Sequence, residues 1–329
     1  MPRIVRFHQT GGPEVLKLEE VAVAPPGPGE VRIAVKAIGL NRAEAMFRSG
    51  MYLEQPSFPS RIGYECSGTV EAVGDGVKEF AVGDKVSTIP AFSIGKNGVY
   101  GEVATVPAAA VARYPASLSW EEGTSIWMQY LTVYGAVIDI AKLAKGDTLL
   151  IPAASSSVGI AAIQIANLIG ATPVALTRTS VKREELLKHG AKHVIATEEQ
   201  DLVAEVMKLT DQKGARVVFD PVGGPTVAKL TAAMAAGGIL FQYGALSTEP
   251  TPLPLMDVLA KTLTIRGYLL FEFTTHPEKL KPAKEFVVKG LESGALKPLV
   301  AKTFPLDEIV ESHRYLESNQ QIGKVVVTV

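Results

Sequence analysis

The sequence predicts an α/β protein in which a doubly wound parallel sheet is combined with a β-rich, partly open barrel. After Leu118, short apolar strands alternate with helical segments, an order typical of a parallel sheet with helices on both faces. Before Leu118, short strands are separated by Gly- and Pro-rich turns such as Pro25–Glu30 and Gly74–Val77, which favours a compact barrel. A chain of 329 residues is long enough for two such domains.

The individual elements follow from apolar runs and turn residues. In the first part, the expected strands are Ile4–Phe7, Leu16–Val23, Glu30–Ile38, Gly68–Val73, Lys85–Ser87 and Gly101–Pro107. Ser119 is expected to cap one helix over residues 120–144. The alternating elements that follow are strand Thr148–Ile151, helix Val158–Leu168, strand Thr172–Leu176, helix Val181–Lys188, strand His193–Ile195, helix Asp201–Thr210, strand Val217–Asp220, helix Pro225–Ala233, strand Gly238–Gln242 and a strand near Leu263–Gly267.

The segment beyond Gly267 is too short for a third domain. It carries one expected helix, Lys279–Ser293, and two short strands, Val300–Pro305 and Gly323–Val329, which we expect to return to the first domain. The predicted domains are therefore residues 1–122 together with 268–329, and residues 123–267.

Composition excludes several classes of protein. Hydrophobic residues make up 47% and charged residues 20% of the chain, as in a globular protein with a full core. The net charge of −1, without a basic cluster, argues against nucleic-acid binding. The first twelve residues lack an apolar signal region and no run of about 18 apolar residues occurs, so we expect no membrane segment and a cytoplasmic protein. The single cysteine, Cys66, excludes an internal disulfide and a multi-cysteine zinc lobe.

Residues 147–182 are the most informative segment. Strand Thr148–Ile151 passes through a turn of small residues, Pro152–Ser157, into a helix. The free N–H groups and the positive end of the dipole at such a helix start suit a pyrophosphate. The turn lacks G-x-G-x-x-G, and a G-x-x-G-x-x-G template aligns as Ala153, Ser156 and Gly159, with only the third glycine retained. An ordinary βαβ crossover remains the alternative explanation.

The end of the second strand indicates which dinucleotide is bound. An NAD site usually has an Asp or Glu there, which holds the 2′-hydroxyl of the ribose. This chain has Thr177, Arg178, Thr179, Ser180 and Lys182, with no acid before Glu184. Hydroxyls and cations suit a 2′-phosphate, so NADPH is the expected cofactor; solvated surface cations are the alternative.

The order of these parts resembles the medium-chain dehydrogenase/reductase superfamily over essentially the whole chain. The matching segments are VKAIGLNRAEAMFRSGMY (35–52), RIGYECSGTVEAVGDGVKEFAVGDKV (61–86), FDPVGG (219–224) and the terminal IGKVVVTV. The sequence is most similar to the zinc-independent NADPH:quinone oxidoreductase branch. This resemblance implies a Rossmann domain inserted in a GroES-like catalytic domain.

The positions of the zinc ligands of related alcohol dehydrogenases carry other residues here. The first is Asn41, the second is Tyr64, and the third falls near Met128. Zinc prefers thiolate, imidazole or carboxylate ligands, so this is a poor set, and we expect no metal. Without zinc, alcohol oxidation lacks a Lewis acid, whereas quinones and conjugated carbonyls give delocalised anions on reduction and need less help.

The resemblance also implies site residues. Asn41 is expected beside the nicotinamide, and Tyr52 and Tyr64 beside the acceptor oxygen, although for both tyrosines packing is an equal alternative. Met128 and Tyr130 are expected to form pocket walls. The expected cofactor contacts are Asn41, Thr132, Ser156, Ser157, Val158, Arg178, Lys182, Gly244, Ala245, Leu246, Phe271 and Lys324. Glu65 is expected either in the site or paired internally.

The preferred hypothesis is therefore an NADPH-dependent, zinc-independent reductase of quinones. The alternatives are an NADPH-dependent enone, alkenal or acrylate-type (C=C) reductase, and a non-catalytic NADPH-binding redox sensor. The apolar segment Leu263–Leu270 is expected at the edge of the parallel sheet, where it would support the homodimer that the resemblance implies.

Overall fold

The computed structural model describes residues 1–329, which form two compact units. Unit 1 comprises Met1–Met128 and Pro298–Val329, and unit 2 comprises Gln129–Lys297. Both boundaries lie further along the chain than the expected ones, which were residues 122/123 and 267/268. The helix over Pro277–Glu292 belongs to unit 2, where the ring of Phe286 packs 5.1 Å from that of Tyr134.

The elements alternate much as the sequence predicts. The strands are β1 Arg3–Arg6, β2 Lys17–Glu20, β3 Glu30–Gly39, β4 Glu65–Val73, β5 Lys85–Thr88, β6 Val103–Pro107, β7 Val111–Ala112, β8 Thr148–Ile151, β9 Thr172–Thr177, β10 His193–Ala196, β11 Ala215–Asp220, β12 Met234–Gln242, β13 Thr264–Gly267, β14 Val300–Pro305 and β15 Lys324–Thr328. The helices are α1 Arg42–Arg48, α2 Ile94–Asn97, α3 Trp120–Gly123, α4 Trp127–Val133, α5 Ser157–Ile169, α6 Arg183–Lys188, α7 Leu202–Leu209, α8 Thr226–Ala232, α9 Leu255–Ala260, α10 Phe271–Thr274, α11 Pro277–Glu292 and α12 Ile309–Glu317.

Unit 1 is built on a seven-stranded mixed sheet in the order β14-β15-β3-β4-β5-β7, with β6 also paired to β3. All of its pairs are antiparallel except β14 with β15. A separate antiparallel pair, β1 and β2, completes the unit. This arrangement confirms the prediction of a β-rich domain.

Unit 2 contains a six-stranded, fully parallel sheet in the order β10-β9-β8-β11-β12-β13. This is the strand order of a doubly wound dinucleotide-binding fold, and the prediction of that fold is confirmed. The order reverses between β8 and β11, and ligands of such sheets bind outside the carboxyl ends of the strands at this point. Leu150, Val174, Val218 and Leu240 fill the core and are fully buried.

The helix expected over residues 120–144 is interrupted. Ser119 caps α3 as predicted, through a reciprocal capping box with Glu122. The chain then leaves the helix, and the Ser125 hydroxyl donates to the Glu121 carbonyl at 2.7 Å, a bond that competes with the helical ladder. It resumes as α4 and a π-helix over Tyr134–Ile140.

Three helices of unit 1, α1, α2 and α12, were missing from the sequence prediction. Helix α12 buries Ile309, Ser312, His313 and Leu316. These positions have the spacing of one helix face, but Ser312 and His313 are polar, so the hydropathy pattern does not indicate a helix. Helix α1 buries Glu44 and Arg48 along with its apolar face, so its buried side carries charges. None of the helices in the chain combines the length and apolar character that a membrane span requires.

Candidate functional site

The turn after β8 lies at the carboxyl edge of the parallel sheet, where the strand order reverses. Gly159 allows α5 to approach this turn closely, because a Cβ there would lie 2.6 Å from the carbonyl carbon of Ala154. Ala153 has φ +50°, a conformation that usually favours glycine. The backbone therefore follows a glycine-rich turn although only one of the three template glycines is present.

Helix α5 begins with free donors beside this turn. The Ser156 hydroxyl accepts from the N–H of Gly159 at 3.0 Å, which leaves its own hydrogen for another acceptor. The N–H groups of Ser157 and Val158 have no acceptor within the chain, as expected in the first turn of a helix. These donors, together with the positive end of a 13-residue helix, suit an anionic group.

Two cations follow β9, as the sequence predicts. Arg178 is exposed, and Lys182 donates from Nζ to the Ser155 hydroxyl at 3.1 Å. The pKa of Lys182 is lowered by burial and by repulsion from Arg178, so the two cations are close in space. Cations held together beside a turn rich in hydroxyls fit a phosphate group.

The loop after β12 passes close to the loop after β11. A Cβ on Gly244 would lie 2.7 Å from the Pro221 carbonyl oxygen, so this approach requires glycine. The Leu246 N–H donates to that same oxygen, and both Ala245 and Leu246 are exposed. Thr132 is buried in α4, whereas Phe271 begins α10 and is half-buried.

Four polar side chains of unit 1 pack together, and we call them the buried polar cluster. Asn41 is the N-cap residue of α1, Glu44 lies within α1, and Glu65 and Lys324 are the first residues of β4 and β15. All four are at most 8% exposed. The Lys324 ammonium contacts Asn41 Oδ1 at 2.5 Å and forms an ion pair with Glu65. The Asn41 amide donates to Glu44 Oε1 and to Glu65 Oε2, each at 3.2 Å.

The two carboxyl groups of this cluster have different surroundings. Glu65 also accepts from the N–H of Met128 at 2.8 Å, so its expected internal pairing is found. Glu44 accepts only from Asn41 and from the Tyr64 N–H (3.2 Å), and its Oε2 is buried without a partner. Burial raises the pKa of Glu44 to about 7 against the attraction of Lys324. Helix α1 buries Glu44 and Arg48 together with Ala45 and Phe47, so its hydropathy pattern does not single out Glu44.

Tyr52 and Tyr64 meet beside the cluster. Their hydroxyl groups are 3.4 Å apart and their rings pack edge to face with centroids 6.4 Å apart. Tyr64 is buried and Tyr52 is half-buried. Burial raises the pKa of both phenols, so both are neutral donors at physiological pH.

Lys324 and Tyr130, two of the side chains expected at the site, are buried. Lys324, expected to contact the cofactor, is 1% exposed, and its ammonium is directed at Asn41 and Glu65 inside unit 1. Tyr130, expected as a pocket wall, is fully buried in unit 2, where its hydroxyl donates to Gln164 at 2.8 Å. Hydropathy cannot distinguish a pocket wall from a core residue for a tyrosine, since both are apolar surroundings.

The residues at the zinc-ligand positions of related dehydrogenases fall within or beside the buried polar cluster. Asn41 contacts the Lys324 ammonium, the Tyr64 backbone donates to Glu44, and Met128 contributes its backbone N–H to Glu65. The chain contains no group of three or more His, Cys, Asp or Glu side chains able to hold a metal ion.

Comparison with known families assigns both parts of the chain. Residues 27–116 match the alcohol dehydrogenase GroES-like domain, and residues 157–289 match the family described as zinc-binding dehydrogenase. The chain is 32% identical to Homo sapiens quinone oxidoreductase over 328 residues, which are 99% of this chain and 97% of the relative. It is 30% identical to 2-haloacrylate reductase of a Burkholderia species, over 98% of this chain and 97% of that protein.

Solved structures of two similar proteins superpose on almost the full length of this chain. Escherichia coli quinone oxidoreductase complexed with NADPH superposes with a TM-score of 0.91 at 32% identity, covering 99% of this chain and 100% of that one. A structure described as an NAD-dependent alcohol dehydrogenase gives a TM-score of 0.91 at 34% identity, with 99% of both chains covered. The chain therefore belongs to the medium-chain dehydrogenase/reductase superfamily, in its quinone oxidoreductase branch.

Proposed function

We propose that this protein is an NADPH-dependent, zinc-independent reductase of quinones. The observation that carries the proposal is the pair of cations, Arg178 and Lys182, after β9, in a chain whose full length resembles a quinone oxidoreductase solved with NADPH. When bound, NADPH supplies the hydride for the reduction, and the protein supplies binding, orientation and hydrogen bonds.

The residues of unit 2 fit this cofactor. Arg178 and Lys182 would hold the 2′-phosphate, because their positive charges form strong hydrogen bonds with phosphate oxygens. The acid that an NAD site has at this place would repel the phosphate. The N–H groups of Ser157 and Val158, with the Ser156 hydroxyl, would bind the pyrophosphate. The proposed contacts to the rest of the cofactor are Thr132, Gly244, Ala245, Leu246 and Phe271.

The residues of unit 1 fit a conjugated acceptor. Tyr52, half-buried and in contact with the Tyr64 hydroxyl, would donate a hydrogen bond to the acceptor oxygen on which charge develops. Met128 would form part of the pocket wall. The Asn41 amide is held by two carboxyl groups, so we propose that it fixes the geometry of the site through Lys324 and Glu65.

The phosphate-site assignment is tested by steady-state kinetics with three matched variants. Arg178→Ala and Lys182→Ala each remove one cation, and Lys208→Ala removes an exposed lysine in the last turn of α7. A charged hydrogen bond contributes about 1.5–3 kcal/mol, so each site variant should raise KM for NADPH about 10- to 100-fold and change KM for NADH little. Equal effects of all three variants would contradict the assignment.

A second candidate function is favoured by the similarity to 2-haloacrylate reductase. Reduction of an acrylate-type C=C bond also gives a delocalised anion, and the same hydrogen-bond donors would stabilise it. Turnover of a set of quinones against a set of enones and 2-haloacrylates, with NADPH, separates the two. Turnover of the enones and 2-haloacrylates alone would replace the quinone assignment. Tight binding of NADPH without turnover of any acceptor would favour a non-catalytic NADPH-binding redox sensor.

We propose in addition that the protein is a homodimer joined at the free edge of the parallel sheet. Strand β13 is the last strand of the sheet, and Ile265 on it is exposed. Helix α9 buries none of its residues, and Leu255, Met256 and Leu259 are each more than half exposed. An apolar edge of this kind favours pairing with a second copy. Sedimentation velocity should give a dimer that Ile265→Lys dissociates, whereas a monomeric wild type would exclude it.

A further inference from the structure

Glu44 is the only hydrogen-bond acceptor of the buried polar cluster that no charged donor contacts. The Lys324 ammonium is directed at Asn41 and Glu65. Both hydrogen bonds to Glu44 come from neutral donors and end on Oε1 at 3.2 Å, longer than the 2.7–2.9 Å typical of bonds to a carboxylate. Its second oxygen is buried and receives no donor.

This environment favours the carboxylic acid over the carboxylate. An ionised group with one oxygen lacking any donor, at a site with 0% exposure, is strongly disfavoured in a protein interior. Burial is the largest influence on the pKa of Glu44, the attraction of Lys324 opposes it, and the neighbouring Glu65 adds to it. The Lys324 ammonium is thus paired with the Glu65 carboxylate, and Glu44 is the carboxyl group of the cluster that stays protonated.

The other groups around Glu44 do not supply a compensating charge. They are Tyr52, Tyr64 and Tyr100 on the adjoining loops and Arg48 one turn further along α1. Burial raises the pKa of all three phenols, so they are neutral. The guanidinium of Arg48 is directed away, toward His313 Nδ1 (2.9 Å) and Glu317 (2.8 Å).

We propose that Glu44 is a positioning residue that acts as its neutral carboxylic acid, holding the Asn41 amide and the Tyr64 backbone beside the Lys324–Glu65 ion pair. This inference rests on the reductase function proposed above, since Tyr64 and Asn41 belong to the proposed acceptor site. When Glu44 loses its proton, the new carboxylate competes with Glu65 for the Lys324 ammonium and for the Asn41 amide. The arrangement that orients both residues is then lost.

The consequence is a loss of kcat at alkaline pH. With a pKa of about 7, roughly one hundredth of Glu44 is neutral at pH 9, so kcat should fall by at least about tenfold between pH 6.5 and pH 9. The KM for NADPH should change little over this range, because the groups proposed to bind it belong to unit 2.

The test compares wild type with Glu44→Gln, which has the same shape and no titrating proton, and with the control Glu20→Gln on the exposed face of β2. Two measurements are made from pH 6 to pH 9. One is kcat with NADPH and 1,4-benzoquinone. The other, which needs no turnover, follows the side-chain amide of Asn41 by nuclear magnetic resonance in protein labelled with ¹⁵N-asparagine.

The proposal expects the Asn41 amide of wild type and of Glu20→Gln to shift with a midpoint near neutral pH, and that of Glu44→Gln to stay constant. It also expects the alkaline fall in kcat to disappear in Glu44→Gln. A wild-type Asn41 amide that does not shift overturns it, even if the variant fails to fold. The same fall in kcat in Glu44→Gln as in wild type overturns it too. Absence of all turnover counts against the proposed function, and the amide titration still decides the state of Glu44.

Discussion

Removing the ammonium from the buried polar cluster should destabilise unit 1 strongly. In Lys324→Met the chain keeps a side chain of similar length, but Glu65 retains only neutral donors, the Met128 N–H at 2.8 Å and the Asn41 amide at 3.2 Å. The side chains of the ion pair are 0% and 1% exposed, so water cannot replace the lost partner.

The expected magnitude follows from these contacts. Removing one partner of a buried ion pair costs about 3–5 kcal/mol, because the other charge stays buried and unpaired. We therefore expect Lys324→Met to lower the free energy of unfolding by about 4 kcal/mol. The double variant Lys324→Met/Glu65→Gln removes both charges and should lose only about 1–2 kcal/mol.

Urea denaturation followed by tryptophan fluorescence measures this effect in the correct unit, because both tryptophans, Trp120 and Trp127, belong to unit 1. Arg314→Met is the matched control, because Arg314 also lies in unit 1. Its ion pair with Glu311 is 51% and 55% exposed, so its loss should cost at most about 1 kcal/mol. A Lys324→Met variant as stable as this control, or a double variant no more stable than the single one, would refute the argument.

Three further predictions follow from single positions. Gly159→Ala places a Cβ 2.5–2.7 Å from backbone atoms of Ala154, so it should cost about 1–3 kcal/mol and weaken the stabilisation by NADPH in a thermal-shift assay; an unchanged Tm with full NADPH response would contradict this. Burial, with repulsion from Arg48, lowers the pKa of His313 in the folded protein to about 3. Between about pH 6.5 and pH 3 this histidine is protonated in the unfolded chain but not in the folded one, so the free energy of unfolding falls over this range by up to about 5 kcal/mol. His313→Gln should therefore unfold at lower pH in an acid titration, and coincident curves would disprove it. Cys66 is fully buried and its pKa is raised to about 12 by burial, so a thiol reagent at pH 8 should label it only after denaturation; labelling of the native protein at the rate of a free thiol is the opposing result.

The parallel sheet was predictable because local patterns determine it. Strand Thr148–Ile151 begins and ends where the sequence places it, and the expected strands Thr172–Leu176 and His193–Ile195 each end only one residue before β9 and β10 do. Each is a short apolar or β-branched run between turn residues, and burial within a sheet favours such runs. The cations after β9 were predictable for a related reason, since the residues that follow a parallel strand lie at its ligand-binding edge.

The buried polar cluster was not predictable, because its members are far apart in the chain. Lys324 contacts Asn41 across 283 positions and Glu65 across 259. A buried charge is compatible with folding only when its partner is present, and spacing along the sequence cannot show that partner. For this reason Lys324 was expected at the cofactor and Glu44 was not selected.

NADPH-dependent reduction of a quinone is tested most directly by a comparison of the two nicotinamide cofactors. The measurement is kcat/KM for NADPH and for NADH with 1,4-benzoquinone as acceptor, in the wild-type protein, with and without a chelator. Because Arg178 and Lys182 are proposed to bind the 2′-phosphate, NADPH should be preferred by at least about tenfold, with no effect of the chelator. Equal use of NADH, loss of activity with the chelator, or no oxidation of NADPH by any quinone would contradict the account.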